Sequence, residues 1–461
     1  MIGRIAFCLA LFAAAWSAPV RAADVPAAVP VAPDDRHVLI VTMDGFPSYV
    51  FRDPHAPIPT IRRLAAEGVA AEGMRVCNPS VTWPNHTTLV TGVTPAKHSV
   101  LFNGLLMHDN SGKPFRVDPA RDQRELISVP TLWDTAHAAG LTTAAINWPA
   151  SRNSPTLDAS FPDCPNPFDH MSPTMRGELI EAGIVPANKF QFGHLSPPQQ
   201  DQMWTSTACY LIRRHQPNLL VLHLLLTDTV NHQYGPQTTA AYTALALADY
   251  ELRDVLDALD DAGIREKTTI FLTTDHGFAR YTRLMQPNVL LAKAGIRSDQ
   301  AQIITEGGTA FVYVMDPGVA GAVEALFRGK EGIADIIKPD GFAGLGLPTP
   351  DKNARMCNLL LAAKDGYSFG TGAYGTYIVD TSRSYAVGGH GYLSSNPHML
   401  STFVVAGRGI KRGAKLGIID NTSVAPTAAR LLGHTIPGAD GRVLTEVLAE
   451  GSTLVAAQHV P

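Results

Sequence analysis

Charge is scarce in this chain of 461 residues: 17% of the residues are charged, and 37 Lys and Arg against 41 Asp and Glu leave a net charge of −4. No basic run occurs, which argues against a nucleic-acid-binding surface or an electrostatic anchor on anionic lipid and sends the search for a ligand to a pocket. Cysteine is nearly as rare. Cys8 lies in the N-terminal stretch described below, and Cys77, Cys164, Cys209 and Cys357 form no CxxC pair and no Cys/His spacing of a structural zinc site. These four are expected as one or two disulfides, in any of three full pairings, or as inert buried thiols, rather than as metal ligands. No repeat period and no long low-complexity segment is present, which excludes a repeat array. An apolar run of membrane-spanning length is missing too.

The longest apolar N-terminal run, 5–16, follows Arg4 and precedes the small-x-small sequence Val20-Arg21-Ala22. That pattern predicts a signal peptide over 1–22 and an exported protein, periplasmic or secreted, with no stable membrane anchor. Further on come short, almost continuously apolar runs at 37–43, 142–148, 218–226, 268–274, 311–315 and 401–407. Such runs suit strands buried on both faces of a parallel sheet. Helical patterns at 58–69, 131–140, 239–263 and 423–433 lie between them, so the expected fold class is an α/β sandwich. Candidate functional residues are spread along the whole chain, which favours one domain over 23–461 with insertions near the Pro-rich 152–200 and the Gly-rich 329–376.

Three of the expected strands run into an aspartate: Asp44, Asp228 and Asp275. In an open parallel sheet, ligands bind outside the carboxyl ends of the strands. One aspartate there is ordinarily a turn or cap residue, but three on one edge repel unless cations sit among them. Histidines accompany them: His232 four residues after Asp228, His276 directly after Asp275, and His390 between glycines in GGHGY. His86, His98, His108, His223 and His398 are taken as ordinary hydrogen-bonded imidazoles. Carboxylate oxygen with imidazole nitrogen suits zinc, with a harder divalent cation left open by residue type. In SVTWPNHTTLVTG, 80–92, Thr82 precedes an apolar helical segment, where a threonine ordinarily caps the helix. Asn103 before Gly104 ordinarily makes a turn, and Trp83 ordinarily packs in a core.

The order Asp44, TWPNHTTLVTG, DTVNH, TDHG, GGHGY resembles the alkaline phosphatase superfamily, most closely its nucleotide pyrophosphatase/phosphodiesterase branch, from residue 37 to the neighbourhood of Leu448. The resemblance implies an alkaline-phosphatase-like sandwich with a mostly parallel central sheet. It further implies one zinc held by Asp228, His232 and His390, and a second by Asp44, Asp275 and His276, with Thr82 completing the second site as nucleophile. Asn103 matches the asparagine whose amide binds a non-bridging phosphoryl oxygen, and Trp83 the aromatic that stacks on a nucleobase. The expected function is therefore that of a secreted two-zinc phosphodiesterase or nucleotide pyrophosphatase, acting on a small phosphodiester or nucleotide through a phosphothreonine. Two alternatives share the scaffold. One is a phosphomonoesterase, which needs a cationic side chain, such as Lys113 or Arg152, folded into the site; the other is a non-catalytic protein that binds a phosphate ligand. The chain departs from the branch at Thr227 and Asn231, where proline and glycine are usual, and at Pro165, near the place of a second stacking tyrosine. CNPS at 77–80 resembles the start of a sulfatase signature, but Val81 stands where its arginine belongs.

Overall fold

The computed structural model describes residues 35–108, 113–382 and 387–450; the expected signal peptide, 1–22, lies outside them. Among these residues, no helix is long and apolar enough to cross a membrane. All seven residues of His37–Met43 are buried, and the strand pairs in parallel with Leu219–Leu224 on one side and Thr268–Thr273 on the other, Val41 lying beside Leu222 and Leu272. These three are the middle of an eight-stranded sheet. Its order is Lys415–Asp420, Val69–Arg75, Phe403–Gly407, Thr268–Thr273, His37–Met43, Leu219–Leu224, Thr143–Pro149, Ala159–Asp163. Phe403–Gly407 alone runs antiparallel to its neighbours.

Alternate residues of the central strand enter opposite cores, as strand geometry requires. Leu39, Val41 and Met43 pack with Ile61 and Leu64 of helix Pro59–Glu67, Leu211 of Pro197–His215, and Leu252 and Val255 of Thr239–Asp261. Val38 and Ile40 pack with Leu89 and Val90 of Thr82–Thr91, Trp133 of Leu132–Ala138, and Ala428 of Val424–Leu432. The result is the expected α/β sandwich, a largely parallel sheet between two helical layers.

The run at 311–315 belongs elsewhere. Thr309–Val314 sits in a separate antiparallel sheet of order Ala301–Glu306, Thr309–Val314, Leu359–Ala363, Ile333–Ile337. Its two faces feed two small cores, Val312 one and Phe311 the other, so it is apolar throughout for the same reason as a parallel core strand. Segment 329–376 thus falls inside a longer excursion, 279–389, which also forms a sheet around Ala279–Met285. Segment 152–200 contributes Ala159–Asp163 to the edge of the main sheet. The disulfide alternative is not realised: all four cysteines are free, three of them buried and Cys164 partly exposed.

Leu219–Leu224 ends four residues before Asp228, because a helix, Leu226–Tyr234, starts in between. Its first free N–H groups are taken by buried Asp201, whose carboxylate accepts from Leu225 N at 2.9 Å and Leu226 N at 3.0 Å. Asp201→Ala leaves both unpaired and should cost about 1–3 kcal/mol of stability, read as a lower urea midpoint. Burial pushes the Asp201 pKa from 3.8 up to about 7. Between these values the folded chain keeps a proton that the unfolded chain has released, so this contribution to stability falls as pH rises. Asp201→Asn should flatten the decline of Tm across that window; an unchanged slope would refute the assignment.

Candidate metal and active site

The carboxyl ends of the three central strands place Asp44 one residue, and Asp275 two residues, beyond Met43 and Thr273, with Asp228 in the first turn of its helix. The helical step from Asp228 to His232 brings both side chains to one side, Nε2 of His232 lying 3.3 Å from Asp228 Oδ1. His390 approaches the same oxygen to 3.7 Å. It arrives on backbone that only glycine permits: at Gly391, with φ +79°, a Cβ would lie 1.7 Å from the Glu306 carbonyl oxygen, and at Gly388 one would lie 2.0 Å from that of Asn231. Donor atoms of Asp228, His232 and His390 lie within 4.8 Å of one another, and so do those of Asp44, Asp228 and His276. Asp275 joins through His276, whose Nε2 is 3.2 Å from Asp275 Oδ2, 3.3 Å from Asp44 Oδ1 and 3.5 Å from Thr82 Oγ1. Asp228 therefore stands between the two ligand sets that the family resemblance separates.

Two observations test whether these residues suit a cation. Asp44 Oδ1, Asp228 Oδ1 and Asp275 Oδ2 are buried with no hydrogen-bond partner, a costly state for charged oxygens. Each histidine also has Nδ1 against a main-chain carbonyl: His232 on Gly388 at 3.2 Å, His276 on Gly277 at 3.0 Å, His390 on Ser80 at 2.9 Å. A carbonyl only accepts, so Nδ1 carries the proton and Nε2, the atom facing the carboxylates, is left as a donor of electrons. Lone pairs aimed at orphaned carboxylates repel unless a cation lies between them, and carbonyl-anchored imidazoles are the usual arrangement behind metal-ligating nitrogens. The set fits a divalent metal such as zinc. Burial drives His276 down to about 4 and His390 to about 3, which keeps both neutral. Burial, then Asp275 and Asp228, pushes Asp44 well up; Asp228, although burial opposes it, is drawn below the carboxylate range chiefly by His232.

Thr82 is the first residue of its helix, while Val81 holds the cap position and no side chain caps it. Thr82 is thus not the cap itself; its hydroxyl faces His276 with the residue 9% exposed. Exposed Asn103 accepts from Trp83 N through Oδ1 at 2.9 Å, which leaves its amide N–H groups to donate outward. Trp83 is placed on the core side of the two readings the sequence allows. It is 5% exposed, packed with Val100, Leu126 and Ala150, and its indole N–H donates to Asp163 at 2.9 Å, so it offers no open stacking face. Arg152 is engaged by Asp122 at 2.8 Å, away from the ligand sets. Cys77 accepts from Thr88, and burial pushes its thiol up to about 12, which keeps it an un-ionised thiol.

Several residues beyond the expected ligands also line this region. His223 contacts Asp44 Oδ2 at 3.0 Å. His86 donates from Nδ1 to the Thr82 carbonyl at 2.9 Å and meets Thr42 Oγ1 at 2.9 Å through Nε2. The two departures from the branch have a shared role: Thr227 donates to the Asp44 carbonyl, and Asn231 to that of Gly45 at 3.0 Å, tying the Asp228 helix to the Asp44 turn. A lone polar residue in an otherwise apolar strand, such as His223 in LLVLHL, was the available signal.

A family model described as type I phosphodiesterase / nucleotide pyrophosphatase matches residues 38–393. Venom phosphodiesterase CdcPDE of Crotalus durissus collilineatus is 25% identical over 241 residues, 52% of this chain and 26% of that protein. Ectonucleotide pyrophosphatase/phosphodiesterase family member 3 of Bos taurus is 25% identical over 242 residues, 52% of this chain and 24% of that protein. This chain thus spans about a quarter of the length of the curated relatives it matches. Murine ectonucleotide pyrophosphatase / phosphodiesterase 5 superposes with a TM-score of 0.70 at 18% identity, over 90% of this chain and 100% of that one. An inactive threonine-to-alanine form of that murine protein, in complex with AMP, matches equally well. At that identity the likeness is one of fold.

Proposed function

Because the chain belongs to the type I phosphodiesterase / nucleotide pyrophosphatase family, we propose that it hydrolyses phosphodiester or phosphoanhydride bonds of small molecules, nucleotides among them, through a phosphothreonine at Thr82. Asp228, His232 and His390 would hold one zinc ion; Asp44, Asp275, His276 and Thr82 a second. The observation that carries this reading is the convergence of three orphaned carboxylate oxygens on imidazole nitrogens whose other ring position is anchored. Bound there, such cations favour the alkoxide form of a hydroxyl and offset charge on phosphoryl oxygens. Thr82 Oγ1 attacks phosphorus, one ester or phosphate leaving group departs with its bonding electrons and takes up a proton, the rest of the phosphoryl ester stays on Thr82, and water later releases it as a phosphomonoester while Thr82 regains its proton. The Asn103 amide and the Thr82 N–H at the start of its helix orient the non-bridging oxygens. Export, read from residues 1–22, belongs to the same reading and accords with relatives named as venom and ectoenzyme proteins; fractionation of the producing cells checks it.

A diester carries one negative charge fewer than a monoester. The charged groups that act on Asp44 and Asp228 are carboxylates and imidazoles, and Arg152 is paired with Asp122. With a neutral amide at Asn103, the extra oxyanion of a monoester would go unpaired. We expect kcat/KM for bis(p-nitrophenyl) phosphate to exceed that for p-nitrophenyl phosphate by at least about tenfold. The reverse ratio would replace this reading by a monoesterase, and turnover of neither substrate by a purified zinc-loaded chain would favour the binding protein.

A further inference from the structure

The geometry points to His223 as a positioning residue that turns one oxygen of Asp44 toward the metal and so sets the affinity of the Thr82-side site; this rests on the two-metal reading above. His223 lies in the Leu219–Leu224 strand, next to the Asp44 strand, with Thr42 as its register partner. It is 1% exposed. Its Nε2 lies 3.0 Å from Asp44 Oδ2, and in the tautomer that carries Nε2–H it donates to that carboxylate. The other ring nitrogen faces Asn147, whose main-chain oxygen is at 3.1 Å and whose side-chain nitrogen is at 3.5 Å. Asn147 also donates from its side chain to the His223 carbonyl at 3.1 Å, and it does so from a left-handed backbone conformation, φ +51°. That conformation is uncommon outside glycine and is tolerated best by asparagine. The ring is therefore held at both ends, and His86 packs beside it at 4.3 Å between centroids.

The consequence falls on the two oxygens of Asp44. Oδ2 is occupied by His223, while Oδ1 has no hydrogen-bond partner and faces His276 Nε2 at 3.3 Å. Without His223 the carboxylate is free to rotate about its terminal torsion, which is broad for aspartate, and Oδ1 is no longer fixed on the cation. The Asp228–His232–His390 set shares no such contact, so the effect is confined to one of the two metals. Partners of this kind behind a ligand are worth 10–100-fold in metal affinity or activity when removed.

The test uses the full exported chain, stripped of metal and titrated with zinc against a fluorescent chelator, with native mass spectrometry to count bound ions. The parent should bind two. His223→Phe should weaken one of them by about 10–100-fold and leave the other at parental affinity, with kcat falling more than KM rises. His223→Gln, which keeps an N–H able to reach Asp44, should recover part of the loss. A role in packing alone predicts the opposite order, since phenylalanine fills the buried site better than glutamine. If His223→Phe does not fold, His223→Asn, too short to reach Asp44, carries the same expectation. Parental affinity for both ions in the variant would overturn the positioning role. Failure of the parent itself to bind two ions would instead overturn the metal reading on which it rests.

Discussion

Thr82→Ala is expected to lower kcat/KM for a diester by at least about 10³-fold while the chain still binds its metals, because the change removes the proposed attacking oxygen and leaves all six Asp and His side chains proposed as ligands. The scaffold should survive it. Thr82 is held through its backbone: its carbonyl accepts from His86, and it stands inside a helix whose ten residues are all buried. Its Oγ1 has one side-chain neighbour within hydrogen-bonding reach, His276 at 3.5 Å, so little folding energy is attached to the hydroxyl. Thr82→Ser keeps an oxygen at the same place but loses the methyl group that limits χ1, and should retain a measurable fraction of activity. Rapid quenching of the parent during turnover of the diester, followed by peptide analysis, should find the remaining phosphoryl ester on the peptide containing Thr82. An alanine variant as fast as the parent, or that ester trapped on another residue, would refute the role.

Why the site was legible and its surroundings were not follows from what each residue does. The candidate ligands are Asp and His near points where apolar strands stop, and such residues stand out against LIVTM or IFLTT. Asp228 was read as the end of a strand, yet it belongs to a helix, because the N–H groups that decide the boundary are satisfied by Asp201, distant in sequence. Thr309–Val314 shows a related limit: an apolar run reports that both faces are covered, not by which sheet. The edge strand Lys415–Asp420 and its neighbour Val69–Arg75 are partly exposed and carry weaker apolar patterns. Trp83 was equally compatible with a core or a binding face until Asp163 was seen to hold its N–H. The positioning layer of His223, Asn147, Thr227 and Asn231 acts through contacts between distant segments, which one sequence does not reveal.

Those same contacts make Asp228 the residue whose loss should do most damage to metal binding. Its Oδ1 is 3.3 Å from His232 and 3.7 Å from His390, and its carboxylate also belongs to the group formed with Asp44 and His276. Asp228→Ala takes a ligand from one set and a bridging charge from the other. Zinc content should fall from two ions to one or fewer, and diesterase activity by at least about 10³-fold, with His276→Ala more selective for the Thr82 side. Chelation of the parent should reproduce the loss of activity, and added zinc should restore it. Stability supplies a second readout that does not depend on turnover. In the stripped chain, Asp44 is buried beside Asp275 and Asp228, so burial and repulsion both act against its charged form in the folded state. A ligand that binds the folded form alone stabilises it by RT ln(1 + [L]/Kd), about 2.7 kcal/mol at one hundred times Kd. Zinc should therefore raise the Tm of the stripped parent and raise that of Asp228→Ala much less. A stripped parent that turns over substrate at full rate, with a Tm indifferent to zinc, would show that these carboxylates and histidines hold no working metal.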